Sequence, residues 1–213
     1  MLDDYLFYFG YYETRHKLIH WALDAVNNIK DKEEYPWLLL SFAEAKYFLN
    51  ENLERAFKMY ENAFDIFKNS NNKKGMGYSL YELGRLNRHR KNNTKALQCL
   101  TKALRISVSV KDKTLQAFCR NNIGKINLTK KDFLNAKKNF NLSLPYWIKS
   151  RDLAMVGITY RNIMQTFPSN ENRAYAYYLK ALKIFKKINI SMEIAELKFE
   201  MSKILFNLKK DDK

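Results

Sequence analysis

The 213-residue sequence predicts an all-α protein in which helix pairs stack side by side. Three observations carry the prediction. Only 6 Gly and 3 Pro interrupt the chain, too few for the many turns of an all-β fold. Hydrophobic residues make up 46% of it and aromatics 15%, enough to bury a continuous core. One pattern of small, large and small residues returns at a fixed step.

The pattern is clearest in NNTKALQCLTKALRI (92–106), where Ala96, Leu100 and Ala103 lie at i, i+4 and i+7 on one helix face. Two small residues around a large one leave a groove that lets a neighbouring backbone come close. Ala56, Tyr60 and Ala63 hold the same offsets, as do Ala136, Phe140 and Ser143, and Ala174, Tyr178 and Ala181. Leu18, Ala22 and Ala25 form a weaker copy. The step from Ala56 to Ala96 to Ala136 is 40 residues each time.

A second helix precedes each stripe and repeats with it. YSLYELGRLNRHRKNN (78–93) aligns with FCRNNIGKINLTKKDF (118–133), setting Leu83 on Ile123 and Gly84 on Gly124. In TYRNIMQTF (159–167), Asn162 falls under Asn122 and Ile163 under Ile123. A glycine inside a helix costs about 1 kcal/mol against alanine, so its return points to close helix approach.

The elements then follow in order. Helix pairs are expected near 4–30, 38–69, 74–110, 114–149 and 153–188, in one domain over 1–213. Within pairs the gaps carry Asn50-Glu51-Asn52, Lys91-Asn92-Asn93 and Lys130-Lys131-Asp132, whose Asn and Asp can cap the next helix. The gaps between pairs, NSNNKK (69–74), VKDK (110–113) and KSRD (149–152), look alike, and the last pair turns at Pro168. A final amphipathic helix, 191–210, carries Ile194, Leu197, Met201, Ile204 and Leu208 on one face. It is expected to cap the array with a polar outer face.

Leu-Gly on the first helix and small–large–small on the second resemble the tetratricopeptide repeat. The match is best over 78–108, through Leu83, Gly84, Ala96, Leu100 and Ala103. Over 40–65 Tyr47 also fits, although Glu44 stands where glycine is usual. The step of 40 exceeds the usual ~34. It is similar to the longer-helix subtype of Rap-like and PlcR-like peptide-sensing regulators and MalT-like signalling proteins, whose first helix the Asn-Asn-Ile-Gly at 121–124 resembles. Unlike the peptide-sensing regulators, the sequence shows no helix-turn-helix domain. The resemblance implies a right-handed superhelical solenoid of about five such pairs plus a C-terminal capping helix. It also implies a concave wall made by the first helices, which binds a protein or peptide.

On that wall, helical spacing groups Tyr81, Arg85 and Arg88, then Asn121, Lys125 and Leu128, then Arg161 and Gln165. Asn122 and Asn162 sit one position along. Amides can satisfy a ligand's N–H and C=O groups, and Arg or Lys can take a carboxylate. The alternative is that these are ordinary solvated helix positions.

Net charge is +16, unevenly spread. Residues 1–67 hold 7 Lys+Arg against 12 Asp+Glu, and 68–213 hold 31 against 10. The basic body could steer an anionic partner, nucleic acid included, or be a set of solvated helix faces. Aromatics fall mostly on core stripes and not among the cations, which ranks nucleic acid behind protein or peptide. Arg85, Arg88, Arg90, Lys125, Arg161 and Arg173 on one face would favour nucleic acid.

The aromatic run YLFYFGYY (5–12) is apolar on more than one helix face. It is read as an interface, through Tyr5, Phe7, Tyr8, Tyr11 and Tyr12, for a partner or a second copy, with burial in the core as the alternative. His16 and His20 lie at i, i+4, but no third ligand accompanies them, so no metal is expected. Cys99 and Cys119 are read as buried small residues in a reducing compartment. No GxxxxGK[ST], GxGxxG or GxSxG occurs, so no enzyme and no cofactor are expected. Without a signal peptide or an apolar run of membrane-spanning length, the chain is expected to be cytoplasmic and off the membrane.

Overall fold

The computed structural model describes residues 17, 21, 33–48 and 53–211. Among the described residues the elements are α1 (Tyr35–Phe48), α2 (Leu53–Asn69), α3 (Lys73–His89), α4 (Asn93–Ser109), α5 (Lys113–Thr129), α6 (Phe133–Ser150), α7 (Leu153–Met164), α8 (Glu171–Lys187) and α9 (Ser191–Asp211), with no strand. Lys17 and Trp21 are also helical. The chain divides into two compact units, Met1–Cys119 and Arg120–Lys213, the division falling inside α5.

The helix starts are built alike. The Asn92 side chain accepts from the backbone N–H of Lys95 at 3.1 Å, and Asp132 from that of Asn135 at 3.1 Å. Between pairs, Asn72 accepts from Gly75, Asp112 from Leu115 and Asp152 from Met155, each at 2.9 Å. Asn170 does the same for Arg173 at 3.0 Å, just after Pro168. Each satisfies a donor that the first helical turn leaves orphaned. The expected caps at 50–52 lie outside the described residues.

The residue before most of these caps is left-handed: Asn71, Lys91, Lys111, Lys131 and Arg151 have φ between 55° and 59°. Glycine usually holds such helix exits. Here the six-to-one bonds of Asn92 to Asn87, Asp112 to Ser107 and Asp132 to Asn127, all 2.9 Å, close the turn without it.

In the first unit, Leu39, Leu40 and Ala43 of α1 and Ala56, Tyr60, Ala63 and Phe67 of α2 share a core with Leu83 and Leu86 of α3. Trp37 sets its edge against Phe67 and Tyr78, at 4.7 and 5.6 Å between centroids. In the second unit, Met164 of α7, Ala174, Ala181 and Phe185 of α8, and Leu197, Met201 and Ile204 of α9 form one core; Ala136, Phe140 and Ile163 form another. The small–large–small stripes of α2, α4 and α6 are buried, and Ala174 and Ala181 are buried on α8 with Tyr178 half-buried.

The glycines of the first helices are packing residues. A Cβ on Gly84 would lie 2.7 Å from Leu100 Cγ and 3.3 Å from the Ala96 carbonyl oxygen, and one on Gly124 would lie 2.5 Å from Phe140 Cε1. Leu100 and Phe140 therefore fill the space that glycine vacates on the partner helix.

Two features differ from expectation. The last helix does bury Leu197, Met201 and Ile204, but its outer face is not polar: Met192, Phe199 and Phe206 are 64%, 59% and 60% exposed. Cys119 is buried, but Cys99 only partly, and both are free thiols. The first expected pair, 4–30, lies mostly outside the described residues.

Candidate partner-binding site

The first helix of a pair is enclosed by its own second helix and by the preceding pair. On α3 nine residues are buried, including Tyr81, Glu82 and Asn87. Polar side chains placed there meet the neighbouring first helix before they meet water.

In the first unit Arg85 is the hub. Its Nη1 donates to Glu44 Oε1 of α1 at 2.9 Å and to Glu82 Oε2 at 2.9 Å, and its guanidinium lies 5.6 Å from the Tyr81 ring centroid. Tyr81 is buried, its ring 5.5 Å from that of Phe118 on α5. Burial opposes the Arg85 charge, but Glu82, Tyr81 and Glu44 outweigh it and hold the guanidinium firmly protonated. Burial pushes the Tyr81 phenol well above its usual range against the pull of Arg85. Arg88 is half-buried one turn on.

In the second unit Asn162 Nδ2 of α7 donates to Asn121 Oδ1 of α5 at 3.0 Å, both residues buried. Arg161, also buried, donates to Glu193 and Glu196 of α9 at 2.5 and 2.6 Å. Burial raises the Glu193 pKa and Glu196 adds to the effect, while Arg161 and Lys125 oppose it. Asn122 is buried; Lys125 and Gln165 are half-buried. Glu196 remains 51% exposed on its side chain.

Each unit therefore gathers its share of the sequence-derived residues on its first helices. Tyr81, Asn121, Asn122, Arg161 and Asn162 are enclosed; Arg85, Arg88, Lys125 and Gln165 keep an exposed edge. Among the other cations, Arg90 pairs with Glu54 at 2.8 Å and Arg173 lies 5.8 Å from the Phe167 ring centroid.

Sequence reasoning missed the anionic partners Glu44, Glu82, Glu193 and Glu196. Glu44 was visible, since it lies one step of 40 before Gly84 and interrupts the glycine pattern. Glu193 and Glu196 were hidden because the last pair is shortened. They come only 32 and 35 residues after Arg161.

Tyr5, Phe7, Tyr8, Tyr11 and Tyr12, and His16 and His20, lie outside the described residues. Among the described residues no group of three or more His, Cys, Asp or Glu could hold a metal ion, and no helix is long and apolar enough to cross a membrane.

Residues 34–107 match the family model described as "Tetratricopeptide repeat". Comparison with curated proteins finds no match. Among solved structures, the chain is similar to a Signal Transduction ATPase with Numerous Domains (STAND) protein with a tetratricopeptide repeat sensor, from Pyrococcus horikoshii. The TM-score is 0.64 and the identity 15%, over 98% of this chain and 35% of that one. The chain thus spans about a third of the length of that protein, and the likeness speaks for fold alone. Repeats of this kind generally mediate protein–protein interaction. The chain has a tetratricopeptide-repeat fold, and the match to the family itself lies in residues 34–107.

Proposed function

We propose that this protein is a non-enzymatic binding module that engages a protein or peptide along the faces of its first helices. Tyr81, Arg85 and Arg88 serve the first unit, and Asn121, Asn122, Lys125, Arg161, Asn162 and Gln165 the second. The observation that carries the reading is the pairing of charge between successive first helices, half-buried Glu44 with Arg85, and buried Arg161 with Glu193 and the more exposed Glu196. Such charges are held rigidly by their neighbours, so a partner meets fixed groups and little ordering remains to oppose binding. The roles divide by exposure. Arg85, Arg88, Lys125 and Gln165 touch the partner, and the enclosed residues hold them in place. The exposed Glu196 carboxylate adds an acceptor for a ligand's N–H groups.

Nucleic acid is the second reading, resting on the 31 Lys+Arg of residues 68–213. The paired state of Arg85, Arg90 and Arg161 speaks against it, because a cation already facing a carboxylate gains less from phosphate.

The test compares wild type with Arg88→Glu and Lys125→Glu in quantitative affinity capture, with circular dichroism confirming an unchanged fold. A partner lost at least about tenfold from either variant, a difference near 1.4 kcal/mol, supports the reading. Capture equal for all three removes it. Binding of generic single-stranded RNA or DNA that weakens steeply with salt would put the second reading first.

A further inference from the structure

In the second unit, three cations from α6 and α8 converge on a set of aromatic rings. Phe167, just after α7, and Tyr177 of α8 stack at 5.7 Å between centroids with their planes 13° apart, and Tyr160 of α7 lies 6.1 Å from Tyr177. All three rings pack against the core of Ala136, Phe140 and Ile163, which anchors them. Lys137 of α6 sets its Nζ 4.7 Å from the Phe167 centroid, and the Arg173 guanidinium lies 5.8 Å from the same ring. Lys180 Nζ lies 4.8 Å from the Tyr177 centroid and 5.7 Å from that of Tyr160. Helical spacing supplies the order, since Arg173, Tyr177 and Lys180 fall at i, i+4 and i+7 on one face of α8.

The helices that carry these cations hold almost no acid. α6 contains no Asp or Glu, and α8 contains only Glu171, at its first position. Among the described residues no carboxylate pairs with Lys137, Arg173 or Lys180, whereas Arg85, Arg90 and Arg161 each face one. Like charges gathered on one set of rings repel each other. The rings offset this only in part, because an aromatic face attracts a cation but carries no net charge. A carboxylate removes the repulsion, and the rings already hold the cations in place to receive it.

The rings also decide which kind of anion fits. Phe167 and Tyr177 stack on each other, and cations lie over both. A nucleic-acid base needs an open ring face on which to stack. What remains for a ligand are the N–H donors of the exposed Arg173 and Lys180 and of the half-buried Lys137, and these match carboxylates.

We infer that this junction of α6, α7 and α8 is a docking site for an acidic segment of a partner protein. Arg173 and Lys180 lie two turns apart, about 10 Å along the helix axis. In an extended chain of the polyproline type every third side chain returns to the same side after about 9 Å. A run of Glu and Asp in that form brings one carboxylate to Arg173 and a second to Lys180, while Lys137 closes on it from α6. The site shares no residue with the first-helix faces discussed above and stands whether or not they bind.

The test uses the full chain and a labelled octaglutamate peptide, with octaglutamine as the neutral control, at about 0.15 M salt to screen long-range attraction. Fluorescence anisotropy is expected to show saturable binding of octaglutamate below about 1 mM and none of octaglutamine. Lys137→Gln, Arg173→Gln and Lys180→Gln together should weaken it at least about tenfold. Lys95→Gln, Lys102→Gln and Lys130→Gln together remove the same charge elsewhere and should change it less than about twofold. Arg173→Gln with Lys180→Gln, both at exposed positions, repeats the comparison without touching Lys137, and unchanged melting curves keep the fold out of the result. No binding up to about 1 mM overturns the inference. So does an equal loss in the two triple variants, since net charge alone would then attract the peptide. Binding of labelled oligothymidylate that only the first triple variant loses also overturns it, because the site would then take nucleic acid. Concentration-dependent self-association that this variant abolishes does the same, because the occupant would then be a second copy.

Discussion

Placing alanine at Gly84 should destabilise the protein when Leu100 is present and stabilise it when Leu100 is cut back. The helix itself gains about 1 kcal/mol when an interior glycine becomes alanine. Against this, the new methyl would stand 2.7 Å from Leu100 Cγ and 2.9 Å from Leu100 Cδ2, inside ordinary van der Waals contact. Leu100 is fully buried, so overpacking of about 1–3 kcal/mol outweighs the helix gain. Leu100→Ala alone leaves a cavity and should cost about 2–5 kcal/mol. In that background the two clashing atoms are gone, and the next nearest atom is the Ala96 carbonyl oxygen, at 3.3 Å. Gly84→Ala should then recover about 1 kcal/mol, giving a coupling of about 1–3 kcal/mol between the two sites. Urea unfolding of the four proteins measures it, with amide exchange in α3 and α4 reporting the local stability. Additivity within about 0.5 kcal/mol would mean that Gly84 is not where the second helix makes its close approach.

Arg85→Ala should cost about 3–5 kcal/mol, because it leaves Glu44 and Glu82 facing each other without their cation; a loss under about 1 kcal/mol in urea unfolding would show the pairing to be incidental. Glu193 has its pKa raised in the fold, so the native state holds that proton more tightly than the unfolded chain does. Its contribution to stability is complete below the ordinary value of 4.5 and is lost as pH rises through the folded value. Glu193→Gln should therefore flatten the fall in melting temperature just above pH 4.5, and a variant with the wild-type slope would contradict this. Lys131→Gly should stabilise by about 1 kcal/mol by relieving a left-handed residue, raising the melting temperature by about 2–4 °C, and no rise would mean the turn carries no strain there. Asn121→Leu or Asn162→Leu alone should cost about 1–3 kcal/mol by orphaning a buried amide; the double variant should recover most of it, and additive losses would exclude a direct pair.

The fold was legible because its information is local and repeated. Ala96, Leu100 and Ala103 fix a helix face by spacing alone, and their return at 40 residues identifies the unit that stacks. Asn92, Asp132 and Asp152 mark helix starts through a side-chain chemistry that depends on one backbone turn. The exits were less legible: Lys91, Lys111 and Lys131 stand where glycine would have announced a left-handed turn, and only the backbone closure shows them. The candidate site was half legible. The positions of Arg85, Arg161 and Asn162 follow from helical spacing, but their partners come from the next helix of the same kind, 32 to 41 residues away. Only the constant step makes such a partner findable, and the shortened last pair breaks it.

The polar row between first helices needs its own physical reason, because apolar residues of the same volume would usually give equal or greater stability there. Apolar contact is non-directional, and two helices with smooth apolar faces can slide by a turn at little cost. An arginine that faces a carboxylate across the seam cannot slide freely, since moving one turn would part Arg85 from Glu44 and leave a half-buried carboxylate without its cation. The same holds for the Asn121–Asn162 bond, whose donor and acceptor meet in one register. Small–large–small packing sets the depth to which each second helix seats on its first helix, and the polar row sets the register from one first helix to the next. The two devices divide the task, and this explains why the glycines face the second helices while the charges face the neighbouring first helices.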